Sequence, residues 1–189
     1  MAELGDTQDP QALVPGKPEA IKENARVLFA RADRANWAGE GLLAIDTGAW
    51  QGPAAREFHD KFSYEPRKWF AAADALEFGA SALEDYAATL RWAQSQAVEA
   101  IQLWSQGQAA TQQAKAQHDL AAAQATAQNQ PAPPFTDPGE ATRQAAREML
   151  NRARAQLKDA GDTAAGIPGV ELARRRRQLP RERRGAHRQ

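Results

Sequence analysis

Side chains able to do acid–base or metal chemistry are few and scattered in this sequence. The three histidines, His59, His118 and His187, stand far apart. They lack the close pairing that a metal site on a helix or turn uses. There is no cysteine, which removes disulfides, thiolate nucleophiles and thiolate metal ligands. Glu84 and Asp85 are adjacent carboxylates, but neighbours on a helix point to different sides and read as a solvated face. The stretch from Gly39 to Ala44 has a partial dinucleotide-loop spacing, Gly39 and Gly41, yet it follows a helical pattern and not a strand. No nucleophile motif or phosphate loop is present. The sequence therefore reads as a non-enzyme, with no cofactor and no metal.

One dense cluster of charge does exist. Arg174 to Arg177 are consecutive, and such a run can neutralise nucleic-acid phosphates. It has no interleaved aromatics and no fold signature beside it. A basic-tailed helical protein associating with nucleic acid is thus the alternative reading, and a solvated tail is favoured over it.

The elements around these residues carry more information. The chain has 189 residues, 42% hydrophobic and 25% charged, enough for one domain with a core. Formal net charge is zero, but residues from 167 onward hold eight Arg against Glu171 and Glu182, a net of +6, leaving about −6 on the rest. No apolar run reaches the roughly 18 residues that a membrane helix needs. The first ten residues have no basic region followed by an apolar stretch, so a Sec signal peptide is not expected.

Asp46 to Phe62 is the hinge of the chain. Gly48, Gly52 and Pro53 surround one large aromatic, Trp50. Glycine permits positive φ and proline suits a first helical position. The expectation is helix, tight turn, helix, with Trp50 wedged between the arms. Before the hinge, Ile21, Ala25, Leu28, Ala32, Ala35 and Leu42 form one amphipathic face from Pro18 to Ile45. Val27, Phe29, Trp37 and Leu43 broaden it. After the hinge, Pro53 starts a short helix with Ala55, Phe58 and Phe62 on one side, and the residues before Pro66 interrupt it. Then Trp69, Leu76, Leu83, Leu90, Ala97 and Trp104 recur every seventh residue, with Ala73, Ala80, Ala87, Gln94 and Ile101 in between. Such a repeat predicts a helix packed lengthwise on another. The packing seam is read as Leu28, Leu42, Trp69, Leu76, Leu83, Leu90 and Trp104. Trp92 lies off it and is free to face a partner.

Beyond Gly107 the chain is rich in Ala and Gln, and reads as an exposed helical extension. A proline-rich break follows, and Asp137, Pro138 and Glu140 then give a helix start resembling a capping box. No strand pattern appears.

At the hinge, Trp50-Gln51-Gly52 resembles the WxG motif of the ESAT-like helical hairpins exported by type VII secretion systems. Leu4 to Thr7, Asp9-Pro10, Leu13 to Gly16, Ile45 to Gly48, Trp50 to Ala55, Phe58, Trp92 to Gln94 and Leu103-Trp104 resemble the N-terminal domain of actinobacterial type VII-secreted polymorphic toxins. The resemblance covers about residues 3–165. It implies a hairpin that pairs, as hetero- or homodimer, with another WxG-type hairpin and with the secretion machinery, and that is secreted by a leaderless route from the cytoplasm. Two departures stand out. The usual Tyr followed four residues later by an acidic residue is absent, since Tyr64 is followed by Lys68 and Tyr86 by Leu90. The effector normally found downstream is missing too, since the 23 residues after Gly166 are too few for a toxin.

The expected fold is all-α: an elongated antiparallel WxG-like hairpin with a short turn helix, a C-terminal helix and a disordered basic tail. The expected divisions are an irregular segment over 1–17, the hairpin over 18–128, a proline-rich linker over 129–139, the C-terminal helix over 140–165 and the tail over 166–189. The expected function is non-catalytic secretion targeting and partner binding.

Overall fold

The computed structural model describes residues 2–166; the Arg-rich sequence of the expected tail, 167–189, lies outside the described residues. The chain is all-α. Its helices are α1 (Pro10–Leu13), α2 (Pro18–Leu43), α3 (Pro53–Phe62), α4 (Glu65–Ala127) and α5 (Glu140–Ala165). Among the described residues there is no strand, and one isolated bridge joins Leu4 and Thr7.

Local chemistry sets the helix starts. Asp9 accepts a hydrogen bond from the Gln11 amide at 2.9 Å, and Pro10 follows at the first helical position of α1. Pro53 opens α3 after Gly52, whose φ of 111° suits glycine. Pro66 lies in the first turn of α4, where its missing N–H costs nothing. No proline follows it until Pro131, so α4 has no breaker over its whole length.

The contacts divide into two compact units. One holds residues 18–87 together with 160 onward. Here α2 runs antiparallel to the first part of α4. A Cβ on Gly39 would meet the Phe70 ring at 2.7 Å, while Gly79 lies 3.9 Å from Leu28. Between these points Ala32, Ala35 and Ala73 form a fully packed cluster, with Leu76 against it. Ala25, Ala80 and Ala87 are also closed off from solvent. The innermost positions are therefore alanines, which let the two backbones approach closely. The end of α5 belongs to this unit as well, with Gly161 at the Tyr86 ring.

The other unit holds residues 1–17 and 88–159. The N-terminal residues, expected as irregular, carry α1 and lie along α4 as a strap. Leu4, Leu13 and Val14 are buried. Gln94 donates from its amide to the carbonyls of Val14 at 3.1 Å and Gly16 at 3.0 Å. Gly16 sits on Leu90 and Gly5 on the Trp104 indole, so the strap is antiparallel to α4. Arg154 of α5 ties it from the other side, donating to the carbonyls of Leu13 and Ala2 and pairing with Glu3. Helix α5 is antiparallel to α4 in turn, since Gly139 meets Gly107 and Arg147 lies over Trp104 at 5.4 Å. Leu90, Ala93, Ala97, Ala100, Ala146, Leu150 and Ala153 fill the space between.

Candidate partner-docking site at the hinge

The turn between α2 and α3 is built by its polar and glycine residues. The Gly48 amide donates to Asp46 Oδ1 at 2.8 Å, and the Trp50 amide to the Thr47 carbonyl at 3.3 Å. Gly48 has φ 56° and Gly52 φ 111°, both in the left-handed region where an L side chain is strained. Nothing stands within 4 Å of a Cβ at either position. The demand for glycine is therefore conformational and not steric. Thr47 and His59 share a hydrogen bond of 3.1 Å across the turn.

Trp50 is 47% exposed. A wedge enclosed by both arms would be buried, so the expected wedge geometry is not what the turn adopts. The ring partner of Trp50 is Phe58, at 5.5 Å between centroids, and Phe58 in turn stacks on Phe62 at 4.9 Å. This aromatic ladder forms one wall of a groove of about 370 Å³ lined by Ala54, Glu57, Phe58, Lys61, Phe62 and Glu65. Ion pairs Lys61–Glu57 and Lys68–Glu65 frame it.

Large apolar side chains left in solvent concentrate around this turn. Trp37, Leu43, Ile45, Trp50, Tyr64 and Trp69 are six of the twelve exposed large hydrophobics among the described residues, yet residues 37–69 are about a fifth of them. Trp37 is the extreme, at 77% exposed. It lies across α2 from the buried Ala32 and Ala35, by helical periodicity. Of the residues read as the seam, Leu90 is buried, Leu28, Leu42, Leu76, Leu83 and Trp104 are half-buried, and Trp69 is 44% exposed. Trp92, off the seam, is partly exposed too. The structure thus brings Trp50, Gly48, Gly52 and Pro53 together at the turn. It places the larger heptad residues beside an alanine core rather than inside one.

Shifted ionisation lies elsewhere, where α5 begins. The Asp137 carboxylate accepts from the Thr111 hydroxyl at 2.6 Å, from Arg143 at 2.6 Å and from the Gly139 amide at 2.9 Å. The Thr111 bond, then that of Arg143, holds its pKa at about 2. Glu140 is also lowered, by hydrogen bonds from Arg143 and then Arg147. Arg143 is raised by the same partners, Asp137 first. Arg143 also donates to Thr111 and reaches the Gly107 carbonyl. Every polar group here is matched to another group of the chain, so this is a clasp between α4 and α5. Sequence reading found its Asp137–Glu140 half and missed Thr111 and Arg143. Among the described residues no group of three or more His, Cys, Asp or Glu could hold a metal ion. His59 and His118 lie apart, and His118 bonds the Pro133 carbonyl at 2.9 Å.

These features define a helical-hairpin protein whose outward-facing residues at the turn are apolar. The family model described as a putative T7SS secretion signal domain matches residues 2–176, and the chain belongs to this family. No curated protein and no solved structure matches it. Membership carries a secretion-targeting role by the type VII route and association with that machinery. No helix among the described residues is long and apolar enough to cross a membrane.

Proposed function

We propose that this chain is a non-catalytic targeting and partner-binding module. It pairs with a second WxG-type helical hairpin through its hinge end, is exported without a cleaved leader from the cytoplasm, and serves a toxin effector of the kind such domains precede. The observation that supports this reading is the crowding of Trp37, Leu43, Ile45, Trp50, Tyr64 and Trp69 into solvent around the turn. A hairpin satisfied by its own packing would turn such residues inward. Large apolar surfaces of this kind mark sites for partners, and amphipathic helices recognise one another through apolar anchors. Catalysis has no comparable support, since the polar clasp at Asp137 is internally satisfied.

The test compares parent chain, Trp50→Ala and Trp37→Ala/Trp69→Ala in an actinobacterial host with an active type VII system. Each is assayed in culture supernatant and cytoplasm, and circular dichroism checks folding. The expected result is helical, folded variants that stay in the cell and no longer co-purify with a hairpin partner. Export of both at the parent's level would overturn the hinge-end reading.

A further inference from the structure

Helix α4 carries a second unusual face. Between Trp69 and Leu90 it has Asp74, Glu77, Glu84 and Asp85 and no Lys or Arg. Asp74, Glu77, Phe78, Ser81, Glu84 and Asp85 fall three and four residues apart, so they share one stripe. It flanks the buried line of Ala73, Ala80 and Ala87, and Phe78 within it is 61% exposed.

The chain itself holds a matching segment. Helix α5 runs antiparallel to α4 and ends beside Tyr86. A chain leaving it at Gly166 is therefore headed along α4 towards Glu84, Phe78 and Asp74. The sequence that follows is apolar first, with Ile167, Val170 and Leu172, and then Arg174 to Arg177. Tyr86 to Asp74 is about 18 Å of helix, while the eight residues from Gly166 to Arg174 can span up to about 27 Å. The reach is sufficient. The family match also runs on to residue 176, so this segment is part of the domain and not an appendage to it.

We propose that residues 167–177 cover the acidic, Phe78-bearing face of α4. Ile167, Val170 and Leu172 lie over Phe78, and Arg174 to Arg177 pair with Asp74, Glu77 and Glu84. Guanidinium groups suit this role because their fork matches carboxylate geometry. The short tether gives the segment an effective concentration on the order of millimolar, so individually weak surface pairs act together. The Arg run is then engaged within the molecule and not offered to phosphates.

The absence of cysteine allows a direct measurement. Ser81→Cys and Gln178→Cys together accept a pair of nitroxide labels for pulsed electron–electron resonance. The parent should give a short, narrow distance. Asp74→Asn/Glu77→Gln/Glu84→Gln, or about 1 M salt where screening closes to about 3 Å, should lengthen and broaden it. Trypsin cleavage at Arg174 to Arg177 should rise about tenfold in the neutralised variant, because cleavage follows the released population. All substituted positions lie on the solvent side of α4, and circular dichroism checks that it stays helical. A broad distance in the parent, unmoved by salt or by neutralisation, would overturn the proposal. So would loss of the short distance on dilution with unlabelled chain, which would place the segment on a second copy.

Discussion

Gly139 lies on Gly107, backbone against backbone. A Cβ on Gly139 would run into the Gly107 carbonyl oxygen, and a Cβ on Gly107 would come within 2.8 Å of the Gly139 oxygen and 2.7 Å of Arg143 Cγ. Alanine within a helix is worth about 1 kcal/mol over glycine. Gly107→Ala gains that, but forced overpacking costs about 1–3 kcal/mol, and a backbone oxygen cannot swing aside. Both Gly107→Ala and Gly139→Ala should therefore destabilise, by about 1–2 kcal/mol or more. A denaturant midpoint at or above the parent's would show that α5 does not rest on α4 in this way.

The clasp beside that contact should fail in acid. The Thr111 and Arg143 hydrogen bonds lower Asp137 from the ordinary 3.8 to about 2, and Glu140 is lowered in the same direction. A depressed carboxyl stabilises the fold while it is ionised. That contribution is complete above about pH 4 and disappears as pH falls towards 2. Amide exchange at the start of α5 should accelerate through this window. In Asp137→Asn the acceleration should shrink, leaving the part due to Glu140. An unchanged pH profile in that variant would remove Asp137 from the clasp.

Leu90 should dominate the heptad residues. It is fully buried against the strap, while Leu76 and Leu83 are half-buried. Leu90→Ala should cost about 2–5 kcal/mol, and Leu76→Ala or Leu83→Ala less. Urea titration of the three variants ranks them directly. Equal losses would mean that the large residues, and not the alanine line, form the core.

Arg154 should govern the N-terminal strap. Its guanidinium is 18% exposed and holds two strap carbonyls together with Glu3. Hydrogen bonds from a charged group contribute about 1.5–3 kcal/mol. Arg154→Met keeps most of the stem and removes those donors. Hydrogen exchange over residues 2–14 should rise well before that of Leu90 or Leu150. Unaltered protection would show that Leu4, Leu13 and Val14 hold the strap unaided.

Trp50→Ala should separate stability from recognition. A buried tryptophan truncated to alanine costs about 3–5 kcal/mol. Trp50 is half exposed with Phe58 as its ring partner, so its loss should cost about 1–2 kcal/mol. A melting temperature lowered by more than that would return Trp50 to the interior.

The helices were legible because each is marked by strong local chemistry. Pro53 after Gly52, the break before Pro66 and the seven-residue repeat all fix backbone at short range. What the repeat did not reveal was which of its two lines lies inside. Leu76 and Leu83 have the greater apolar area, but Ala73, Ala80 and Ala87 permit the closer approach, and α2 answers with Ala32, Ala35 and Gly39. The strap was opaque for another reason. Its Leu4, Leu13 and Val14 have no helical or alternating period, and the partners that bury it, Gln94 and Arg154, lie 80 and 141 residues away. Asp9-Pro10 did carry a helix-start signal for α1. At the clasp, Asp137 and Glu140 were visible as a start motif, but Thr111 meets them only across the proline-rich turn.

The two hinge glycines are open in space and restricted in angle. Handedness is therefore the property that the turn selects at Gly48, where φ is 56°. A mirror-image alanine placed there by chemical synthesis would adopt that φ without strain and meet no neighbour. By narrowing the unfolded ensemble it should stabilise the turn by about 0.4–1 kcal/mol. The natural L-alanine at the same place should do the opposite, so the pair of stereoisomers reads the turn's chirality with side-chain size held constant.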